Sequence, residues 1–188
     1  NRIARYTSAG VLDTSFGSNG IVQNAHVSQA YAVGIRADGN IVAVGGDNTS
    51  MRVVVLTPSG GTAAQWTADP GGGNGDYTRG VTILDDGDIL VAGRGSDSNN
   101  EGYSFGFKFV LVRFNASGTV EAYNEPNLGT GEFVHSSLTL PDGKVLLVGQ
   151  VGNDLTVARF SASGTLDTSF GNAGSFKIPV LNATDEGY

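Results

Sequence analysis

The chain has 188 residues, a formal net charge of −7, 29 glycines and no cysteine. This length fits a single domain, and the lack of cysteine excludes disulfides, thiolate metal ligands and cysteine nucleophiles. The acidic balance argues against nucleic acid and anionic membranes as partners, since both need a basic face, and no apolar run approaches the ~18 residues that span a bilayer.

The chain begins with a unit that returns three more times. The first copy contains ARYTSAGVLDTSFG (4–17) and the last contains ARFSASGTLDTSFG (158–171). Each copy predicts a strand, a three-residue turn with a glycine, and a returning strand. We name these two strands c and d. The middle copies are RVVVLTPSGGTAAQW, from Arg52, and FVLVRFNASGTVEAY, from Phe109.

A second unit precedes each later copy of the first. Its copies are YAVGIRADGNIVAVGG (31–46), TRGVTILDDGDILVAGR (78–94) and VHSSLTLPDGKVLLVGQ (134–150). Asp-Gly between two apolar runs is the strongest short-range signal of a β-hairpin, because the turn needs residues that tolerate positive φ. We name the two strands of this hairpin a and b, and the run that forms strand b ends in glycine each time.

Together the two units predict an all-β fold, a β-propeller-like array of four-stranded antiparallel blades with about three and a half repeats. The predicted boundaries, within one repeat array over 1–188, are a half blade of strands c and d (1–30) and three blades (31–77, 78–133 and 134–188). The half blade leaves three alternatives open: a small ring closed within the chain, a fragment of a longer array, and closure by a second copy.

A charged pair recurs across the turn of the first unit. Arg5 and Asp13 lie four positions on either side of Ala9, so the predicted hairpin places them on facing strands. The third and fourth copies hold opposite charges at the same two positions: Arg113 with Glu121, and Arg159 with Asp167. In the second copy both positions are apolar. This joint change predicts a structural salt bridge, worth at most ~1 kcal/mol.

The segments ARYTSAGVLDTSFG, ARFSASGTLDTSFG and LPDGKVLLVGQ carry a pattern that resembles the delta-sixty repeat. This is a β-propeller-like repeat of bacterial secreted and surface proteins. The resemblance covers essentially the whole chain, although VVVLTPSGGTAAQW and VRFNASGTVEAYN depart from it. It implies a propeller-like fold and an extracellular or cell-surface location, and it implies no activity.

Candidate metal and catalytic groups are few. Asp85, Asp86 and Asp88 offer clustered oxygens that suit a hard cation, but the spacing is not that of a calcium loop, which favours a solvated hairpin turn. His26 and His135 occupy different phases of the repeat, which favours surface histidines over a zinc site. No nucleophile-elbow motif supports a catalytic serine. We therefore expect no catalytic, cofactor-binding or metal-binding residues.

Aromatic side chains lie at or near two long insertions, 68–77 and 95–106. Exposed aromatic rings on loops are suited to stacking on sugars, whereas ordinary packing is the alternative. The speculative ligand contacts are Trp66, Tyr77, Tyr103 and Phe105.

Three functional hypotheses follow. The first is a non-enzymatic secreted or cell-surface module that serves as a scaffold, in adhesion or in ligand binding, with a surface glycan or protein as partner. The second is a self-assembling structural subunit, a ring or an extracellular filament, because unpaired strand edges of an incomplete blade recruit other chains. The third, a carbohydrate-active enzyme built on a propeller, is the least favoured because the titratable residues are scattered.

Overall fold

A computed structural model describes residues 2–24, 26–46, 49–70, 76–96, 107–129 and 131–179. These residues form fourteen strands. Among them, no helix is long and apolar enough to cross a membrane. The half blade consists of β1 (Arg2–Ala4) and β2 (Ile21–Gln23). Blade 1 consists of β3 (Gln29–Ile35), β4 (Ile41–Gly46), β5 (Met51–Leu56) and β6 (Thr62–Ala68). Blade 2 consists of β7 (Tyr77–Ile83), β8 (Ile89–Ser96), β9 (Phe107–Phe114) and β10 (Val120–Asn124). Blade 3 consists of β11 (Glu132–Thr139), β12 (Val145–Val151), β13 (Asp154–Phe160) and β14 (Ser175–Ile178).

Every blade is an antiparallel meander in which strands that follow one another in sequence are neighbours in the sheet. The first sheet has two strands and each of the other three has four. The predicted all-β, β-propeller-like array of four-stranded blades is therefore confirmed. The strands β3, β7 and β11 form the inner edges of their blades, since β7 packs against both β3 and β11.

The Asp-Gly hairpins form as predicted. In each turn the glycine has a positive φ, and its N–H donates to the carbonyl three residues earlier at 2.9 Å. The φ of Gly39, for example, is 82°, a region that residues with a Cβ rarely enter. These turns join strands a and b of blades 1, 2 and 3.

The prediction of a strand that returns directly after the turn is wrong in the first and last copies of the first unit. There the pairing after the turn is reduced to isolated bridges, Tyr6 with Leu12 and Phe160 with Leu166. The cause is the L-D-T-S-F-G segment. The Asp13 carboxylate accepts hydrogen bonds from the N–H of Ser15 at 3.0 Å and from its hydroxyl at 2.6 Å, which makes a local turn.

The fourth strand of these copies forms only after that turn, as β2 and β14. In β14, Phe176 pairs with Val157 of the neighbouring strand. The middle copies lack the Asp-Thr-Ser sequence, so β6 and β10 start within two residues of their turn glycines.

The predicted charge pairs form across the turns. Arg5 Nε lies 2.8 Å from Asp13 Oδ2, and Arg159 Nε lies 2.9 Å from Asp167 Oδ2. Arg113 Nε lies 3.3 Å from Glu121 Oε2. Each arginine thus ties the returning segment to strand c, as a cross-strand contact predicts.

Successive residues of a strand point to opposite sides of a sheet, so each blade has two faces. We call the face toward the preceding blade the leading face, and the face toward the following blade the trailing face. Apolar side chains join the trailing face of blade 1 to the leading face of blade 2: Val42, Val44, Ile89 and Val91. The same positions join blade 2 to blade 3: Leu90, Ala92, Val145 and Leu147. The half blade packs on the leading face of blade 1 through Phe16 and Val22.

Candidate functional site

Each inner strand carries a β-bulge at the same register position. The pairing of β3 with β4 shifts between Ala30 and Ala32, so Tyr31 is the extra residue. The pairing of β7 with β8 shifts around Arg79, and that of β11 with β12 shifts around His135. Bulges redirect side chains and occur often beside binding sites. One bulge per blade therefore aims three large polar side chains from equivalent positions.

A glycine on strand b faces each bulge, which explains why the apolar run of strand b is followed by glycine in every copy. A Cβ at any of these glycines would lie within 3.0 Å of a carbonyl group on strand a. The glycines are Gly45, Gly93 and Gly149. Only a residue without a side chain allows the bulged backbone to come so close. The bulge is therefore encoded in the sequence of each repeat.

Arginine and aromatic side chains alternate across the blades at this level. The guanidinium carbon of Arg79 lies 4.3 Å from the ring centre of Tyr31 in blade 1 and 5.6 Å from that of Tyr77. The guanidinium carbon of Arg94 lies 4.1 Å from the ring centre of Tyr77 and 5.0 Å from that of Phe133 in blade 3. We call these five residues the Arg–aromatic ladder. It links all three blades through cation–π contacts.

The two arginines of the ladder lie in different surroundings. Burial lowers the pKa of the Arg94 guanidinium, while the interaction with Tyr77 acts in the opposite direction. Arg79 Nη1 donates to the carbonyl of Thr78 at 3.3 Å. No carboxylate in the described part of the chain forms an ion pair with Arg79. The ladder is thus a cationic feature within an acidic protein.

The predicted aromatic contacts separate into different places. Tyr77 is part of the ladder. Trp66 is half-buried, and its ring lies 5.8 Å from that of Phe114, stacked between blades 1 and 2. Tyr103 and Phe105 lie outside the described residues. Tyr77 and Trp66 therefore lie apart in the structure, and their role as ligand contacts stays a prediction.

Two carboxylates of the acidic triplet in the blade 2 turn, those of Asp86 and Asp88, are engaged by protein groups. Arg113 Nη2 lies 2.6 Å from Asp88 Oδ2 and 3.0 Å from Asp86 Oδ2, and the bond with Asp88 raises the pKa of the guanidinium. The other oxygen of Asp88 accepts the N–H of Ala116 at 3.0 Å. Asp85 is exposed. Among the described residues no group of three or more His, Asp or Glu side chains suits a metal ion.

The two histidines lie far apart in the repeat, as the sequence indicates. His26 Nε2 lies 2.8 Å from the carbonyl oxygen of Trp66 at the outer strand of blade 1. His135 is exposed at the bulge of β11. Only His135 is therefore at the level of the ladder.

Glu132 is a buried carboxylate that sequence reasoning missed. Its oxygens accept three backbone N–H groups, from Phe109 at 2.6 Å, Leu128 at 2.8 Å and Gly129 at 3.0 Å. Burial raises the pKa of this carboxyl, and the three hydrogen bonds act against that rise. Glu132 thereby fixes the segment between blades 2 and 3. A signal was present, since Asp76, which is also buried, precedes β7 at the same repeat position.

The trailing face of blade 3 exposes positions that are buried in the other blades. Leu155 is 41% exposed, whereas its equivalents Met51 and Phe109 are 0% exposed. Ile178 is 46% exposed, whereas its equivalent Ala68 is 2% exposed. This face presents further apolar side chains, Leu138 and Phe176.

The opposite end of the array is also open. Tyr6 of the half blade is 61% exposed, whereas its equivalents Leu56, Phe114 and Phe160 are 0% exposed. Ile35 on the leading face of blade 1 is 70% exposed. An apolar cleft of about 550 Å³ runs between β1 and β3. It lies beside the edge of β1 where the other blades have strands a and b.

The comparison with family models agrees with the fold. A family model described as a β-propeller domain of unknown function, DUF5122, matches residues 1–16 and 140–170. A crystal structure of a protein of unknown function from Bacteroides caccae, at 1.35 Å resolution, is similar over 93% of this chain and 74% of that chain, with 13% identity and a TM-score of 0.37. No curated protein matches the chain. The first and last copies of the repeat thus resemble a β-propeller repeat family, and the blades of this chain have the β-propeller type of fold.

Proposed function

We propose that the chain is a non-enzymatic scaffold module of the delta-sixty type in an extracellular or cell-surface bacterial protein, and that its open blade faces bind further blades. The observation that carries this proposal is the exposure of apolar positions at both ends of the array, where equivalent positions inside it are buried. Contiguous exposed apolar side chains on a soluble protein mark interaction surfaces. The repeat pattern supports the extracellular location.

The charged side chains support a non-enzymatic role. The carboxylates of Asp86 and Asp88 bind Arg113, and that of Asp167 binds Arg159. Glu132 is closed off by three backbone N–H groups. General acid–base catalysis needs a group that reaches a substrate, and these groups hold turns and blades together. New reducing ends on a panel of polysaccharides, lost in Arg94→Gln, would overturn this part of the proposal.

Self-assembly is the second candidate, and the two open faces favour it. Because every blade is built from the same repeat, the trailing face of blade 3 is equivalent to the trailing face that blade 2 presents to blade 3. The leading face of the half blade is equivalent to the leading faces of blades 2 and 3, each of which packs against the trailing face of the preceding blade. A head-to-tail contact between two copies would therefore continue the packing seen inside the chain. Contacts of this heterologous kind produce rings or filaments.

Light scattering over a concentration series tests the assembly. The wild-type mass should rise with concentration. Leu155→Asp, which places a charge on the trailing face, should stay at 19.3 kDa. The control Ala63→Asp places the same charge at an exposed position on the outer strand of blade 1 and should assemble like the wild type. A wild type that stays monomeric at every concentration would refute self-assembly.

A further inference from the structure

We propose that the Arg–aromatic ladder is a binding site for an acidic saccharide, one that carries carboxylate or sulfate groups. This inference goes beyond the scaffold role and does not depend on assembly. It rests on the inner strands alone, where bulges, facing glycines and stacked side chains coincide.

The bulges indicate a surface built to present side chains. Tyr31, Arg79 and His135 occupy one register position, whereas a neighbouring position on β7 holds Val81, which packs against the core between blades 1 and 2. Tyr31 is 40% exposed, and His135 is also exposed. A bulge costs ladder hydrogen bonds and requires a glycine opposite. Its presence in all three blades therefore serves the side chain that it redirects.

Arg79 gives the site its preference for anions. In the ladder the rings of Tyr31 and Tyr77 cover the flat faces of the two guanidinium groups. Stacking on the Tyr31 ring leaves the N–H groups at the edge of the Arg79 guanidinium in plane, where they bind carboxylate or sulfate oxygens in pairs. The rings also hold both arginines in position, so that little side-chain entropy is lost on binding.

The rings give the site its preference for saccharides. Tyr31 and His135 each present a flat ring edged by polar atoms, which suits a sugar with an apolar face and hydroxyl groups. The ladder crosses from blade 1 to blade 3 through Tyr31, Arg79, Tyr77, Arg94 and Phe133. An extended chain of acidic sugars fits such a row better than a single small anion does.

Affinity electrophoresis of the full chain tests the site, with polygalacturonate in one gel and neutral dextran in another. Polygalacturonate should slow the wild type and dextran should not. Arg79→Gln should weaken the retardation constant roughly tenfold, the loss expected for one charge-assisted hydrogen-bonding group. Arg2→Gln removes the same charge from an exposed arginine on β1, outside the ladder, and should stay within about twofold.

Three results would overturn the proposal. The first is a wild type that polygalacturonate does not slow. The second is equal retardation by dextran, which would assign binding to the rings alone. The third is an equal loss in Arg2→Gln and Arg79→Gln, which would indicate diffuse charge. Melting temperatures of all variants show whether a loss reflects unfolding, and Tyr31→Ala, at an exposed position, tests the ladder without removing charge. Assembly is measured separately by mass, so either proposal can fail alone.

Discussion

Gly93 is the residue whose replacement tests the blade geometry most sharply. It lies on β8 opposite the bulge of β7 and pairs with Thr78. A Cβ at this position would lie well inside 3.0 Å of the Tyr77 carbonyl oxygen, 2.9 Å from the Tyr77 carbonyl carbon and 2.8 Å from Met51 Cε. The nearest obstacle is backbone, which cannot rotate away as a flexible side chain does.

The cost of Gly93→Ala follows from this geometry. Overpacking in a well-packed core costs about 1–3 kcal/mol. We expect the upper end, about 3 kcal/mol, because the bulge itself must move and its hydrogen bonds to β8 must break. For a domain of this size that corresponds to a fall in melting temperature of roughly 6–12 °C.

Urea unfolding followed by tryptophan fluorescence measures this effect. Trp66 is the single tryptophan and is half-buried against Phe114. The control is Gly61→Ala, where the nearest atom to the new Cβ is the Thr57 hydroxyl oxygen at 3.2 Å. The control should change the free energy of unfolding by less than about 0.5 kcal/mol. Equal stabilities of the Gly93 and Gly61 variants would refute the account of the bulge.

Three further predictions concern packing and pH. Met51→Ala should lower the free energy of unfolding by about 2–5 kcal/mol, and Leu155→Ala should lower it by about 1 kcal/mol or less. The reason is that Met51 is buried, whereas Leu155 is exposed in the single chain. Equal losses measured by urea unfolding would contradict the equivalence of the two positions. Burial raises the pKa of Glu132 above its usual 4.5, so ionisation disfavours the folded state. The advantage in stability of the wild type over Glu132→Gln should shrink as the pH rises above 4.5 in unfolding curves, whereas a growing advantage would show that the hydrogen bonds dominate. The bonds from Ser169 hold the pKa of Asp167 well below its usual 3.8, with Lys144 and Arg159 acting in the same direction. That contribution is present above pH 3.8 and is lost as the pH falls below it, so the advantage of the wild type over Asp167→Asn should vanish in acid, and a gap that persists there would refute it.

Local sequence signals predicted most of the fold. The Asp-Gly turns fix each a–b hairpin, since the glycine supplies the positive φ that the turn needs. The pairing of Arg5 with Asp13 followed from spacing alone. The prediction of a returning strand was wrong in the first copy because Asp13 also accepts a hydrogen bond from Ser15, and that local bond replaces sheet pairing. Spacing between charges does not reveal such a competition.

The candidate site was less accessible to prediction. The glycines that follow the apolar run of strand b were visible in the sequence, but a bulge arises from pairing between strands and leaves Arg79 in an ordinary strand pattern. The ladder joins residues from three blades, and sequence distance does not show their contact. Trp66 was predicted as a ligand contact because it lies close to an insertion in the sequence, although strand alternation places it against Phe114.

Mixing two blocked variants of the full chain tests the head-to-tail continuation of the blades most directly. Leu155→Asp blocks the trailing face, and Tyr6→Asp blocks the leading face of the half blade, where Tyr6 is 61% exposed. Light scattering should find each variant monomeric at 19.3 kDa, and an equimolar mixture should form a dimer of twice that mass and nothing larger, because one open face remains on each partner. Dimerisation of either variant alone would show that a face binds its own kind, and a mixture that stays monomeric would show that the open faces do not bind each other.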